Sequence, residues 1–149
     1  MNDLLFTLRP AIQADSDAIR GLVHIGGINP TGLDWQRFVV ADTQEGQVIG
    51  CAQIKPHRDG SFELASIVVH PDWRGKGIAH RLIERLLAAH SGVLYLMCRA
   101  ELGPFYEKFG FRVISNSEMP PYFRRISRLA GLVTKLRSEG SDLLVMQRG

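Results

Sequence analysis

Short apolar segments bounded by turn residues recur through the first half of the chain, and their spacing predicts β-strands. The segments are Leu4–Arg9, Phe38–Ala41, Val48–Lys55 and Phe62–Val69. The run Gln44-Glu45-Gly46 predicts a hairpin between the second and third strands. Between the first two strands the period becomes helical, with Asp15 as the expected N-cap and Gly26 and Gly27 at the end. The apolar stripe of this helix comprises Ile19, Leu22, Val23 and Ile25.

The second half alternates between helical and strand-like spacing. From Gly75 the apolar residues follow a helical period, and the next predicted strand is Val93–Cys98. This strand should run parallel to Phe62–Val69, because strand–helix–strand units in one sheet make right-handed crossovers. The remaining predicted elements are a short helix from Pro104 to Gly110, a strand Phe111–Ile114, a helix Tyr122–Val133 and a strand Leu143–Met146.

These elements predict an α/β (α+β) fold, a mixed central sheet of about seven strands with helices on both faces. A length of 149 residues, of which 45% are hydrophobic, is typical of one domain, here residues 1–149. No apolar run approaches the roughly 20 residues of a membrane span, and the first residues lack the features of a signal peptide. We therefore expect a cytoplasmic protein.

The net charge of +3 is concentrated in one segment. Five basic residues and no acidic residue lie between Pro120 and Ser138, and the predicted helix there presents an apolar stripe of Ile126, Leu129, Ala130 and Val133. This basic helix, 121–137, could contact an acidic protein, anionic lipid or nucleic acid. Nucleic acid is the weaker alternative, because five charges with few stacking aromatics make a small footprint. The basic residues are Arg124, Arg125, Arg128, Lys135 and Arg137.

A basic turn with two glycines joins the strand Phe62–Val69 to the helix that follows. Gly75 and Gly77 allow consecutive backbone N–H groups to converge on phosphate oxygens at the positive end of that helix. A P-loop would require Ser or Thr after Lys76, and a Rossmann turn would require glycine where His80 stands. The turn therefore predicts a pyrophosphate site of another kind.

Two motifs resemble those of the GNAT superfamily, the general N-acetyltransferases. Arg74 to Ala79 fit the acyl-CoA loop Gln/Arg-x-x-Gly-x-Gly/Ala, and the sequence from Gly103 to Phe111, GPFYEKFGF, resembles the second hallmark of the family. The resemblance implies an acetyl-CoA-dependent N-acetyltransferase in which two parallel strands splay apart around the pantetheine arm. By position these strands are Phe62–Val69 and Val93–Cys98.

The resemblance also implies the roles of individual residues. The main chain of Ile67, Val68 and Val69 would bind the arm and the acyl carbonyl, and Tyr106 would protonate the departing thiolate or pack beneath the sulfur. In the family position of an asparagine, seven residues before Tyr106, this chain has Arg99. The residues implied to bind the cofactor are Ile67, Val68, Val69, Arg74, Gly75, Lys76, Gly77, Ile78, Ala79 and Tyr106.

An amine must lose a proton before it attacks a thioester, so a base is expected. Glu63, eleven residues before Arg74, matches the position of the base in some protein-lysine acetyltransferases of the family. The alternative is an exposed strand glutamate. His57 and His70 are lesser candidates, whereas His80 and Glu84 share a polar helix face that predicts solvation rather than a metal site.

We expect acetyl transfer to a primary amine, of a small molecule or a protein, by direct attack in a ternary complex of a monomer or homodimer. The competing hypothesis is a catalytically weak or inactive CoA-binding regulatory module that uses the basic helix.

Overall fold

The computed structural model describes residues 5–136 and 142–149. Its strands are Thr7–Pro10 (β1), Phe38–Asp42 (β2), Val48–Pro56 (β3), Phe62–Val69 (β4), Leu94–Arg99 (β5), Arg112–Val113 (β6) and Leu143–Arg148 (β7). Its helices are Ser16–Gly26 (α1), Ile78–Ala89 (α2), Gly103–Glu107 (α3) and Pro121–Leu136 (α4).

The strands are hydrogen-bonded in the order β1-β2-β3-β4-β5-β7-β6. β4 and β5 pair in parallel, with Glu63 opposite Tyr95, whereas β1 with β2, β2 with β3, and β7 with both β5 and β6 are antiparallel. The predicted mixed sheet of seven strands and the parallel direction of β5 are therefore confirmed. No helix among the described residues is both long and apolar enough to cross a membrane.

The chain divides into two compact units. The first comprises Met1–Lys55 with Leu64–Ser91, and the second comprises Pro56–Glu63 with Gly92–Gly149. That residues 1–149 form one domain stays a prediction.

The core of the first unit lies beneath α1 and α2. Ile19, Leu22 and Val23 of α1 are buried as predicted, whereas Ile25 is 49% exposed. Gly50 of β3 faces α2 closely: a Cβ there would lie 3.0 Å from the Ile78 side chain. The missing side chain lets α2 pack directly on the strand.

Asp15 does not cap α1 through its side chain, contrary to the prediction. Its buried carboxylate accepts hydrogen bonds from the Ile12 N–H and from the guanidinium of Arg9, at 2.8 Å each. Arg9 also donates to Asp42 at 2.9 Å. The hydrogen bond from Arg9 is the largest cause that holds the pKa of Asp15 below its ordinary value. A residue type that favours N-caps therefore serves as the buried partner of an arginine.

Phe123 of α4 is the anchor of the second unit. It is fully buried in a cluster with Ile114, Met119 and Val145. The predicted stripe of α4 is wrong at Leu129, which is 54% exposed. At 3.6 residues per turn, Leu129 lies about 120° around the helix from the buried Phe123. Leu129 is therefore not on the buried face of α4. Arg137 lies outside the described residues.

Candidate functional site

The turn before α2 presents a row of unoccupied backbone donors. Gly75 and Gly77 adopt left-handed backbone angles, with φ of 79° and 78°. Within the first turn of α2, the N–H of Arg81 donates to the Gly77 carbonyl at 3.1 Å. Within the described parts of the chain, the N–H groups from Gly75 to Ala79 donate to no acceptor. Five adjacent free donors at a helix N-terminus can bind phosphate oxygens.

Two side chains of this turn are positively charged, and a buried residue fixes the turn to the core. Arg74 and Lys76 are exposed, and neither forms an ion pair with another described residue. Ile78 is buried in the core and fixes the start of α2. The arrangement fits an exposed diphosphate held at a defined point of the protein.

His70, a lesser candidate for the base, has a structural role at the end of β4. Its ring Nδ1 accepts a hydrogen bond from the backbone N–H of Asp72 at 3.1 Å. The backbone N–H of His70 donates to the Ile49 carbonyl at 2.8 Å. The ring nitrogen therefore caps the short 3₁₀ turn Pro71–Trp73.

A backbone irregularity in β4 was not found from the sequence. Ser66 has φ of 57°, which is rare for a residue with a side chain. The Nε2 of fully buried Gln53 donates to the Ser66 hydroxyl at 2.8 Å and to the Gly32 carbonyl at 3.1 Å. This turn of the backbone immediately precedes Ile67 and redirects the strand. The available signal was a glutamine among the apolar residues of β3.

Tyr106 lies in the second unit with a protected phenol. Its side chain packs edge-on against Phe105 and Phe111, and the residue is 9% exposed. Burial, with a smaller effect from the charge of Cys98, raises the pKa of Tyr106 to about 12. Its hydroxyl has no hydrogen-bond partner among residues 5–136 and 142–149. The group is therefore a neutral donor that is available to a ligand.

Glu63 is buried and paired, so the alternative of an exposed strand glutamate is wrong. Its Oε1 lies 2.8 Å from Nε2 of His57, and the two side chains are 9% and 7% exposed. The His57 ring stacks on Tyr122, with centroids 3.6 Å apart and planes 19° from parallel. The edge of the same ring faces Phe123. Packing and a hydrogen bond therefore fix the imidazole from two sides.

Asp59 connects the β3–β4 turn to the start of α4. Its carboxylate accepts a hydrogen bond from the Tyr122 N–H at 3.0 Å and another from the Ser61 N–H at 2.9 Å. Burial alone would raise the pKa of Asp59, but the hydrogen bonds from Ser61 and Tyr122 outweigh it and lower the pKa. The carboxylate of Asp59 is thus ionised, and it already accepts hydrogen bonds from the protein.

His57, Asp59 and Tyr122 line a cleft of about 670 Å³ within the second unit, which we call the turn-helix cleft. Sequence reasoning noted His57 and the basic helix separately but did not bring them together. The lining residues are Pro56, His57, Arg58, Asp59, Pro121, Tyr122 and Arg125.

The other residues singled out from the sequence have simple surroundings. Arg99 is exposed, with Nε 3.8 Å from a carboxylate oxygen of Glu101. His80 and Glu84 approach each other to 3.5 Å on the exposed face of α2. No group of three or more potential metal ligands occurs within the described ranges.

Comparison with known proteins identifies the family. Residues 34–113 match the acetyltransferase (GNAT) domain family, so the chain belongs to the GNAT acetyltransferases. The co-substrate of this family is acetyl-CoA. An acetyltransferase of Pectobacterium atrosepticum is 32% identical over 117 residues, 72% of this chain and 73% of the relative. Mycothiol acetyltransferase of Rhodococcus jostii is 30% identical over 86 residues, which are 58% of this chain but only 28% of that protein.

Solved structures share the fold at low sequence identity. A Mycobacterium tuberculosis protein in complex with CoA superimposes with a TM-score of 0.71 at 22% identity, covering 95% of this chain and 98% of its own. N-acetylglutamate synthase of Neisseria gonorrhoeae, with coenzyme A and N-acetyl-glutamate, gives a TM-score of 0.70 at 20% identity. That match covers 99% of this chain and 35% of the synthase.

Proposed function

We propose that this protein is an acyl-CoA-dependent N-acetyltransferase that transfers acetyl from acetyl-CoA to a primary amine by direct attack in a ternary complex. The observation that carries the proposal is the turn before α2, where five free N–H groups and two exposed cations occur together in a chain of the GNAT family. The structural neighbours bound to CoA, one of them also to an acetylated amino acid, support the same reaction class.

The binding residues follow from these donors. The backbone of Gly75, Gly77, Ile78 and Ala79 would hold the pyrophosphate, while the side chains of Arg74 and Lys76 would neutralise its charge. The main chain of Ile67, Val68 and Val69, redirected at Ser66, would bind the amide-rich arm by strand addition. When bound, acetyl-CoA supplies an activated acyl thioester.

The amine is activated by the His57–Glu63 pair in this proposal. His57 lines the turn-helix cleft, and Glu63 lies behind it in hydrogen-bond contact. With Nε2–H donating to Glu63, the other ring nitrogen, Nδ1, is free to accept the proton of the amine. The carboxylate of Glu63 then stabilises the imidazolium. Glu63 thus acts through His57 rather than at the acceptor itself.

Tyr106 donates a hydrogen bond to the departing thiolate. Complete proton transfer is unfavourable, because the pKa of Tyr106, raised to about 12 by burial, lies above the ordinary pKa of a thiol, about 8.5. A hydrogen bond still stabilises the developing charge, and burial keeps the donor neutral throughout the physiological range.

The proposal is tested by a screen of amines, amino acids, peptides and protein lysates with labelled acetyl-CoA. We expect acetylated product whose label resists hydroxylamine, as an amide does and a thioester does not. The inactive regulatory module predicts CoA binding with no label transfer to any amine. Transfer only to hydroxyl or thiol acceptors would contradict the N-acetyl assignment.

A further inference from the structure

The lining of the turn-helix cleft has two arginines and one aspartate, so its charged side chains sum to a positive charge. Arg58 and Arg125 line it, both are exposed, and neither side chain forms a hydrogen bond or ion pair with another described residue. Asp59 supplies the only carboxylate of the lining, and it is already occupied by Ser61 and the Tyr122 N–H. An anionic ligand would therefore find two available guanidinium groups.

Arg124, the other arginine at the start of α4, differs from Arg125 because its side chain is hydrogen-bonded within the protein. Arg124 donates to the Met119 carbonyl at 2.8 Å and to the Asn116 carbonyl at 3.4 Å, so it completes the loop before the helix. Arg125, the next residue, faces the cleft instead. Arginine presents a planar pair of donors that matches two oxygens of a carboxylate or of a phosphate.

His57 of the proton-accepting pair, Tyr122 and Arg125 line the same cleft. Burial raises the pKa of Tyr122, the negative charge of Glu63 raises it further and the positive charge of Arg125 lowers it, so both charges act on that phenol. His57, bonded to Glu63, stacks on the same ring. A ligand in the cleft would thus meet both a proton acceptor and a cation.

The dimensions fit a small molecule. A cleft of about 670 Å³ falls within the roughly 300–1,000 Å³ of small-molecule sites. His57 and Tyr122, which stack on each other with centroids 3.6 Å apart, both line it.

We propose that the turn-helix cleft binds the acceptor, and that the acceptor is a small amine with a carboxylate held by Arg125 and Arg58 while its amino group faces His57. This inference rests on the proposed N-acetyltransferase function and names its substrate class. Neither arginine takes part in the chemical step; both position the acceptor.

The test uses matched pairs of amines that differ only in a carboxylate or carboxamide, such as β-alanine with β-alaninamide and phenylalanine with phenylalaninamide. Values of kcat/KM for acetylation are measured with wild type, Arg125→Gln and Arg128→Gln. The last variant removes the same charge from an exposed position of α4 outside the cleft. Melting temperatures establish that all three proteins are folded.

The decisive quantity is the carboxylate-to-carboxamide ratio in each variant relative to wild type, because the intrinsic reactivity of the two amines cancels in that comparison. We expect Arg125→Gln to lower the ratio about tenfold, mainly through KM, and Arg128→Gln to leave it unchanged. Arg58→Gln should lower it as well.

An unchanged ratio in Arg125→Gln, with carboxamides still acetylated, would overturn the acceptor proposal and leave the N-acetyltransferase function intact. A fall of equal size in Arg128→Gln would assign the effect to the general field of the helix and also overturn it. If wild type acetylates no pair but acetylates another amine of the screen, the acceptor proposal fails and the N-acetyltransferase function stands. If it acetylates no amine at all, both proposals fail, and calorimetry with CoA then shows whether the CoA site alone survives.

Discussion

Nε2 of His57 and Oε1 of Glu63 lie 2.8 Å apart at the two ends of the β3–β4 turn. The turn closes through the His57 N–H, which donates to the Ser61 carbonyl at 2.9 Å. A carboxylate and an imidazole are thereby held together away from water, where their interaction is stronger than at the surface. This pairing is the basis of the proposed proton transfer.

Glu63→Gln should lower kcat/KM about 10- to 100-fold near neutral pH and less above pH 9, where more of the amine is already neutral. Glutamine retains the size of the side chain but cannot stabilise an imidazolium. The measurement is the pH profile of acetylation, with Glu45→Gln in the exposed β2–β3 turn as the matched control. A rate within threefold of wild type and an unchanged profile would assign proton removal to water.

Tyr106→Phe should lower kcat about 10- to 1,000-fold with little change in the affinity for acetyl-CoA, because it removes a donor and keeps the packing of the ring. Tyr95→Phe removes the hydroxyl of a half-buried tyrosine from the same unit and serves as the control. Equal rates for Tyr106→Phe and wild type would reduce Tyr106 to a packing role.

The pKa of Tyr106, raised to about 12, sets a further expectation for the pH profile. A raised pKa means that the phenol keeps its proton until the pH approaches 12, so no alkaline loss of activity due to Tyr106 should occur below pH 10.5. Initial rates of the wild type measured from pH 8 to 10.5 check this. A fall in rate centred near pH 10 that is absent from Tyr106→Phe would show that the pKa of Tyr106 is that of an ordinary phenol.

Asp15→Asn should destabilise the protein by about 2 kcal/mol at pH 7, which is about 4–8 °C in Tm. The folded-state pKa of Asp15 is lowered, chiefly by Arg9, so its stabilisation is present above the unfolded value near 3.9 and is lost as the pH falls through the folded value. The difference in Tm between variant and wild type should therefore shrink from pH 7 to pH 3. Asp17→Asn, at a fully exposed side chain, is the control. A difference in Tm between Asp15→Asn and wild type that does not change with pH would contradict the ion pair of Asp15 with Arg9.

The bounds of β4 and the apolar face of α2 could be predicted because each follows a simple period that ends at a turn signal. The left-handed backbone of Ser66 could not, since serine in a strand carries no signal for positive φ, and the buried Gln53 indicates a polar contact but not that its partner is Ser66. Nor could the turn-helix cleft, because it joins residues 57–59 to the start of α4, more than sixty positions later in the chain. Local patterns do not encode such tertiary contacts.

Calorimetry of CoA binding to Gly77→Asp tests the central claim most directly. Gly77 and Gly46 both have positive φ, and a Cβ on either would meet no other atom within 4 Å, so the same substitution at Gly46 controls for backbone strain. At position 77 the new carboxylate would face the phosphates. We predict at least a 100-fold loss of CoA affinity in Gly77→Asp and wild-type affinity in Gly46→Asp, with α2 folded in both. Unchanged CoA affinity in folded Gly77→Asp would contradict the assignment of this turn as the pyrophosphate site.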